Sequence, residues 1–305
     1  MLTDSLRENR QDIVFITVIL LPLIILVGIL IYLPAVDSLI VSFTNENLRI
    51  RRLPKFIWLE NYSKLLENSE FWIVTARSLL VVALTLPLEL LISLGLALLL
   101  TEVFPGRAMV RTLVLLPWML PPIVNGFLWG WLLNGEYGAL NGLLYQLGII
   151  DEYVTWLRNP DTQVIWVAVV QTWTRFAFPT IILLAGLQSI PKDLIDAAKV
   201  DGASSWQSFK SIVLPLLMPS FAIALTIEFI AAFQIFDVIW TLTAGGSAGG
   251  AINPFTKTLM LYNYELVFRD LRIGLGAALS YLILFLSLGV AIVFVTRLYN
   301  QAVKS

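Results

Sequence analysis

Six stretches of about twenty residues are apolar around the whole helical circumference, and this decides the solvent in which the chain folds. A helix that crosses roughly 30 Å of hydrocarbon needs that length, because it rises about 1.5 Å per residue. The runs cover 13–33, 78–100, 112–133, 164–187, 214–240 and 273–296. A water-soluble chain would show one-sided faces and far more charge; here the apolar share is 58% and the charged share 13%. The expected fold is all-α and polytopic, with six transmembrane helices in one membrane domain over 13–297 and tails at 1–12 and 298–305. Lipid is its surroundings.

Arg7 and Arg10 precede the first run in the manner of a signal peptide, but the apolar stretch is too long and no small-x-small cleavage site follows. It reads as a retained span. Pro22, Pro87, Pro117 and Pro179 lie inside spans, where neighbouring helices re-satisfy the carbonyls that proline frees. Kinked, packed helices follow from them.

Six spans put both ends of the chain on one side, which leaves 9 Lys and Arg on that side, 10 on the other and Arg175 within a span. The positive-inside rule therefore cannot orient the chain, mainly because Arg49, Arg51, Arg52 and Lys55 cluster in the first loop. A net charge of -1 offers no field for nucleic acid. The absence of cysteine and histidine removes disulfides, thiolate and imidazole metal sites, and every Cys/His or Ser/His nucleophile. No Gly-Lys pair exists, so the chain has no phosphate-cradling loop of the G-x-x-x-x-G-K-[ST] kind.

The segment 190–219 (IPKDLIDAAKVDGASSWQSFKSIVLPLLMP) is the most polar long insertion beside a span. Residues 191–200 form an amphipathic helix with Leu194, Ile195 and Ala198 on one face, and Gly202 supplies a sharp turn. Ser204 with Gln207 three residues on is a capping-box signature opening a second short helix that carries Trp206 and Phe209. On pattern alone this is either a linker lying on the bilayer with Trp206 as an interfacial anchor or a projecting elbow.

The run Asp196-Ala197-Ala198, Asp201-Gly202-Ala203, Phe209 and Leu214-Pro215 through Pro219 resembles the "EAA" loop of binding-protein-dependent ABC permeases. Further motifs lie in order: Leu59-Glu60-Asn61-Tyr62, 111–122 (RTLVLLPWMLPP), Gly138-Ala139-Leu140-Asn141, 185–191, and Phe236-Asp237 with 242–246. Together they are similar to sugar permeases of the maltose and glycerol-phosphate class over 58–297. The resemblance implies a type I ABC importer permease fold in a bacterial or archaeal inner membrane. It also implies a coupling loop at 190–213 in which Asp196, Ala197, Ala198, Asp201, Gly202, Ala203, Ser204, Trp206 and Phe209 meet a separate ATPase.

The same resemblance implies a second permease subunit, an ATPase dimer that holds the ATP and Mg, and an extracytoplasmic solute-binding protein. No cofactor is expected in this chain. Placing the loop in the cytoplasm puts both termini there as well. Two positions depart from the pattern: Asp196 stands where the family usually has Glu, and Gly245-Gly246-Ser247 replaces Gly-Gly-Pro.

Glu89, Arg175, Glu228 and Asp237 are ionisable at membrane depth and are functional candidates for that reason. Gln171, Thr174 and Arg175 share one face of span four, and Gln234, Asp237 and Thr241 share one face of span five. Glu228, nine residues before Asp237, then points to the opposite side. One reading places Gln171, Arg175, Gln234 and Asp237 on the solute pathway with Trp173 or Trp129 stacking on a sugar ring. The other has Arg175 pairing with Glu228 or Glu89 to hold helices together. Both stay open.

With Arg175 the sole cation inside the spans, a small neutral polyhydroxylated solute is favoured over glycerol phosphate. An ion-coupled secondary transporter would show related halves with broken helices, and none are visible in the sequence. An intramembrane enzyme would need an Asp pair or a Ser/Lys pair at depth, which the spans lack.

Overall fold

The computed structural model describes residues 17–50, 53–158, 160–244 and 254–304. The first four residues of span one, the N-terminal tail and the Gly245-Gly246-Ser247 turn lie outside the described residues. Among the described residues, four helices are long and apolar enough to cross a bilayer, and two bent pairs bring the number to six if each pair is one crossing. No strand forms among the described residues beyond a single Thr44–Phe56 bridge. Two compact units divide the chain.

One unit comprises residues up to 67 together with 264–282. Helix α1 (Thr17–Ser42) runs well past residue 33, where the sequence pattern ended it. None of its most apolar eighteen residues is buried within the chain, as befits a helix solvated by lipid. Helix α2 (Glu60–Glu67) explains the Leu59-Glu60-Asn61-Tyr62 motif. Asn61 Nδ2 donates to the carbonyls of Ser42 and Thr44 at 2.9 and 2.8 Å, and the Tyr62 and Ser42 hydroxyls meet at 2.8 Å. Arg49 of the basic loop donates to the Arg269 carbonyl at 2.6 Å and lies 3.7 Å from Asp270. Part of the cluster that spoils the charge count is thus structural.

The other unit holds 68–263 and 283–305. Asn68 caps helix α3 (Ser69–Thr101) by accepting from the Glu70 amide. Thr85, Glu89 and Ser93 recur every fourth residue along α3 and are all fully buried, so they form one inward stripe. Ser93 Oγ donates to the Phe176 carbonyl at 2.8 Å.

Span three is broken. Helices α4 (Arg107–Met119) and α5 (Pro122–Leu132) meet at 96°. Pro121 and Pro122 stop the first helix, and buried Asn125 satisfies the freed ends by donating to the Pro117 carbonyl at 2.9 Å and the Leu120 carbonyl at 3.4 Å. Helix α6 (Ala139–Gln146) follows. Span four bends by 50° between α7 (Pro160–Arg175) and α8 (Ala177–Ser189), where Pro179 has no N–H for the Arg175 carbonyl.

After α9 (Lys192–Val200), helix α10 runs from Ser205 to Phe233 without interruption. The second short helix of the loop is therefore the first turn of span five, and a boundary at 214 does not exist. Span five also ends earlier than 240. The chain unwinds over Gln234, Ile235 and Phe236 before α11 (Asp237–Ile239) and a wide turn, Trp240–Ala244. Helices α12 (Leu259–Tyr264) and α13 (Ile273–Lys304) complete the order, the last continuing through the segment expected as a tail.

The core of this unit is built where α3, α8 and α10 meet: Ala97, Leu100, Leu183, Leu184, Leu187 and Leu217 are buried together. Gly186 permits the approach, since a Cβ there would strike Ser220.

Candidate functional site

Arg175 ends α7 and points into the same unit as the two buried acids. Its Nε donates to Glu228 Oε2 at 2.6 Å and its Nη2 to Glu228 Oε1 at 3.1 Å, a bidentate pair between α7 and α10. Glu228 is 0% exposed, whereas the Arg175 side chain keeps 25% exposure. Glu89 on α3 faces Glu228, and no N–H of the chain donates to either of its oxygens. Of the two acids offered as partners for Arg175, Glu228 takes it.

The exposed edge of Arg175 lines a cavity of about 230 Å³. Gln171, Gln234 and Asp237 line it too, together with Thr174 and the unwound segment from Gln234 to Phe236. The two polar stripes do meet. They do so by a different route from the one the helical spacing suggested, because span five is not helical between Gln234 and Phe236. Asp237 lines the cavity beside Arg175, whereas Glu228 is absent from that lining and lies buried behind the guanidinium it binds. Irregular backbone at membrane depth is tolerated where it lines a polar cavity.

Thr241 leaves the stripe: its hydroxyl donates to the Asp237 carbonyl at 2.9 Å and presses on Gly126 of α5. Gln234 Nε2 reaches Ser287 on α13 at 3.5 Å, a contact that no sequence pattern announces.

Trp129 and Trp173 occupy a different place. Their rings lie 6.1 Å apart at 71°, and both line a largely apolar cavity of about 870 Å³ in the crook of the 96° elbow, with Leu116, Pro117 and Leu120. They are absent from the lining of the polar cavity.

The loop after α8 folds as its residues dictate. Gly202 adopts φ +80°, the left-handed conformation that favours glycine, and Ala203 N–H closes back on the Ala198 carbonyl at 2.9 Å. Ser204 Oγ accepts from the Gln207 amide at 3.3 Å while the Gln207 side chain accepts from the Ser204 amide at 2.8 Å, a complete capping box. Ile195 packs on the core, but Leu194 of the same expected face stays exposed. Asp196 pairs with Lys199 at 2.9 Å, both exposed. Trp206 stacks on Phe209 at 5.7 Å and is 69% exposed; Val200 beside the turn is 87% exposed. An otherwise polar elbow therefore presents apolar tips.

Residues 89–305 match the family described as binding-protein-dependent transport system inner membrane component. The trehalose/maltose transport system permease protein MalF of Thermococcus litoralis is 36% identical over 96% of this chain and 96% of its own length. The sulfoquinovosyl glycerol transport system permease protein SmoG of Agrobacterium fabrum is 34% identical over 90% of this chain and 87% of its own. Among solved structures, a bacterial ABC transporter involved in the import of the acidic polysaccharide alginate has a chain of the same fold, with a TM-score of 0.76 at 23% identity over 98% of this chain and 99% of that one.

Proposed function

Because the chain belongs to the family of binding-protein-dependent transport system inner membrane components, and so is a multi-pass permease of an ABC importer, we propose that it carries a neutral sugar, oligosaccharide or polyol. The observation that carries this reading is the state of Arg175. Its charge is met by Glu228, so the cavity offers amides, a hydroxyl and one carboxylate, groups that suit hydroxyl-bearing solutes. A phosphate would need a free cation there. The trehalose/maltose and sulfoquinovosyl glycerol relatives support the carbohydrate class.

In this reading the elbow over 190–213 docks on a cytoplasmic ATPase dimer, which binds the ATP and Mg, and both termini are cytoplasmic. Val200 and Trp206 support it as exposed apolar anchors, and Asp196, Ala197, Ala198, Asp201, Gly202 and Ala203 form the turn that presents them. A second permease subunit and an extracytoplasmic binding protein complete the assembly. Trp129 and Trp173 line a separate, largely apolar cavity, so the solute contacts in this reading come from the polar one.

The test is uptake into proteoliposomes holding the assembled importer, with trehalose, maltose and a sugar phosphate compared and the proton gradient collapsed. ATP-dependent uptake of a neutral disaccharide is expected, with Gln171→Ala and Asp237→Asn raising its half-saturating concentration about tenfold, the loss of one hydrogen bond to a charged or buried group. Exclusive uptake of the phosphate overturns the solute class. Uptake that stops with the proton gradient would instead favour an ion-coupled transporter.

A further inference from the structure

A second polar cavity, of about 460 Å³, opens at the end of α7 remote from the coupling loop. Trp131, Asn134, Tyr137, Thr155, Arg158 and Gln163 contribute to its lining, and Thr241 and Thr243 close its inner side. Its size falls in the range of small-molecule sites, about 300–1,000 Å³.

The wall is a built one. Fully buried Asn141 makes four hydrogen bonds: its Nδ2 donates to the Asn134 and Val154 carbonyls at 3.0 and 2.9 Å, and its Oδ1 accepts from the Val154 amide at 3.1 Å and from Trp156 Nε1 at 3.0 Å. This uses all the capacity of the amide and ties α6 to the loops at Asn134 and at Val154 to Trp156. Gly135 lets the two loops approach, since a Cβ there would strike the Thr155 side chain. The Gly138-Ala139-Leu140-Asn141 motif is thus the fastening of this cavity.

The cavity is also continuous in chain terms with the inner one. Thr241, which lines it, hydrogen-bonds the carbonyl of Asp237, which lines the inner cavity. Gln163 and Gln171 stand on the same helix, eight residues and so about 12 Å apart along its axis. That spacing matches two rings of a linked saccharide and exceeds one. An indole, a phenol, the Asn134 amide, a hydroxyl and a guanidinium fork form a lining suited to a pyranoside, with Gln163 held behind them by its hydrogen bond to the Leu157 carbonyl: ring faces meet the aromatic surfaces and vicinal hydroxyls meet the fork.

We propose that this cavity is a second carbohydrate-binding station, which holds one pyranoside ring of the solute before or while the inner cavity holds another. The proposal rests on the carbohydrate reading above and adds that the permease reads at least two rings.

The chain has no cysteine, so single-cysteine variants report without background. In the assembled importer in proteoliposomes, Thr155→Cys is labelled with a membrane-impermeant maleimide in the absence and presence of maltose or trehalose. At ten times its half-saturating concentration the disaccharide slows labelling about tenfold, as one-site occupancy requires. Independently, Arg158→Gln raises the half-saturating concentration for uptake about tenfold with the maximal rate retained. Unchanged labelling and unchanged half-saturation alongside normal ATP-dependent disaccharide uptake overturn the station and leave the carbohydrate reading standing. Absence of disaccharide uptake in the unsubstituted importer overturns both.

Discussion

Arg175 grips Glu228 through two hydrogen bonds of 2.6 and 3.1 Å, and so joins the bend of span four to the last turns of the span five helix. A charge pair in such a place is strongly destabilising to break and weakly stabilising to own, because removing one partner strands the other. The pair also sets what the cavity can recognise, since it consumes the one cation available.

Glu228→Ala leaves the guanidinium unmatched and is expected to lower stability by about 3–5 kcal/mol. Arg175→Met combined with Glu228→Leu, which removes both charges, recovers most of that loss. Thermal unfolding of the detergent-purified protein checks this, and a double variant no more stable than the single one contradicts it.

Glu89 faces that pair fully buried, with the Glu228 carboxylate beside it and no N–H of the chain on its oxygens. Glu89→Gln keeps the shape and adds an N–H donor for Glu228. The variant is expected to melt at or above the temperature of the unsubstituted protein, by an amount corresponding to about 1–3 kcal/mol. A marked fall in melting temperature would show that the carboxyl itself is needed.

Gly202 holds φ +80° with open space where a Cβ would go, so a substitution there is opposed by backbone conformation and not by collision. Gly202→Val strains the elbow by about 1–2 kcal/mol. Asp is better tolerated in that conformation, which makes Gly202→Asp the cleaner probe of the docking role. The complex should still assemble and hydrolyse ATP, while solute uptake falls; equal uptake in vesicles would remove the loop from the coupling path.

Gly126 and Thr241 are in direct opposition, since a Cβ on the glycine would overlap the threonine hydroxyl. Gly126→Ala is expected to destabilise by about 1–3 kcal/mol through overpacking. Thr241→Ala in the same chain should relieve part of it, since the hydroxyl goes but the Cβ of residue 241, 2.8 Å from the added carbon, stays. If the second change adds to the first, the two helices are held apart by something else.

The apolar runs made the six crossings legible, and the spacing of Ser204, Gln207 and Gly202 made the elbow legible, because each of those signals is local. What escaped was non-local. The break after Phe233 has no proline or glycine to mark it, so Gln234 and Asp237 were placed on one helical face when in fact an unwound turn brings them together. The 96° elbow was half visible in Pro121-Pro122, but Asn125, which accepts the burden of the freed carbonyls, carries no signature of that work. The separation of Trp129 and Trp173 from the polar residues depends on which side of α7 faces α5, a fact that only packing decides.

Helix α10 spans 29 residues from the capping box at the elbow to the unwound turn at the cavity, a rod of about 43 Å. Its ladder of hydrogen bonds is loosened near the elbow, by the wide turn Phe209–Val213 and by Pro215 and Pro219, which donate none. In the proposed docking role, a displacement of Trp206 would therefore reach Glu228 through a rod with give at both ends, the loosened turns on one side and the unwound turn beyond Phe233 on the other.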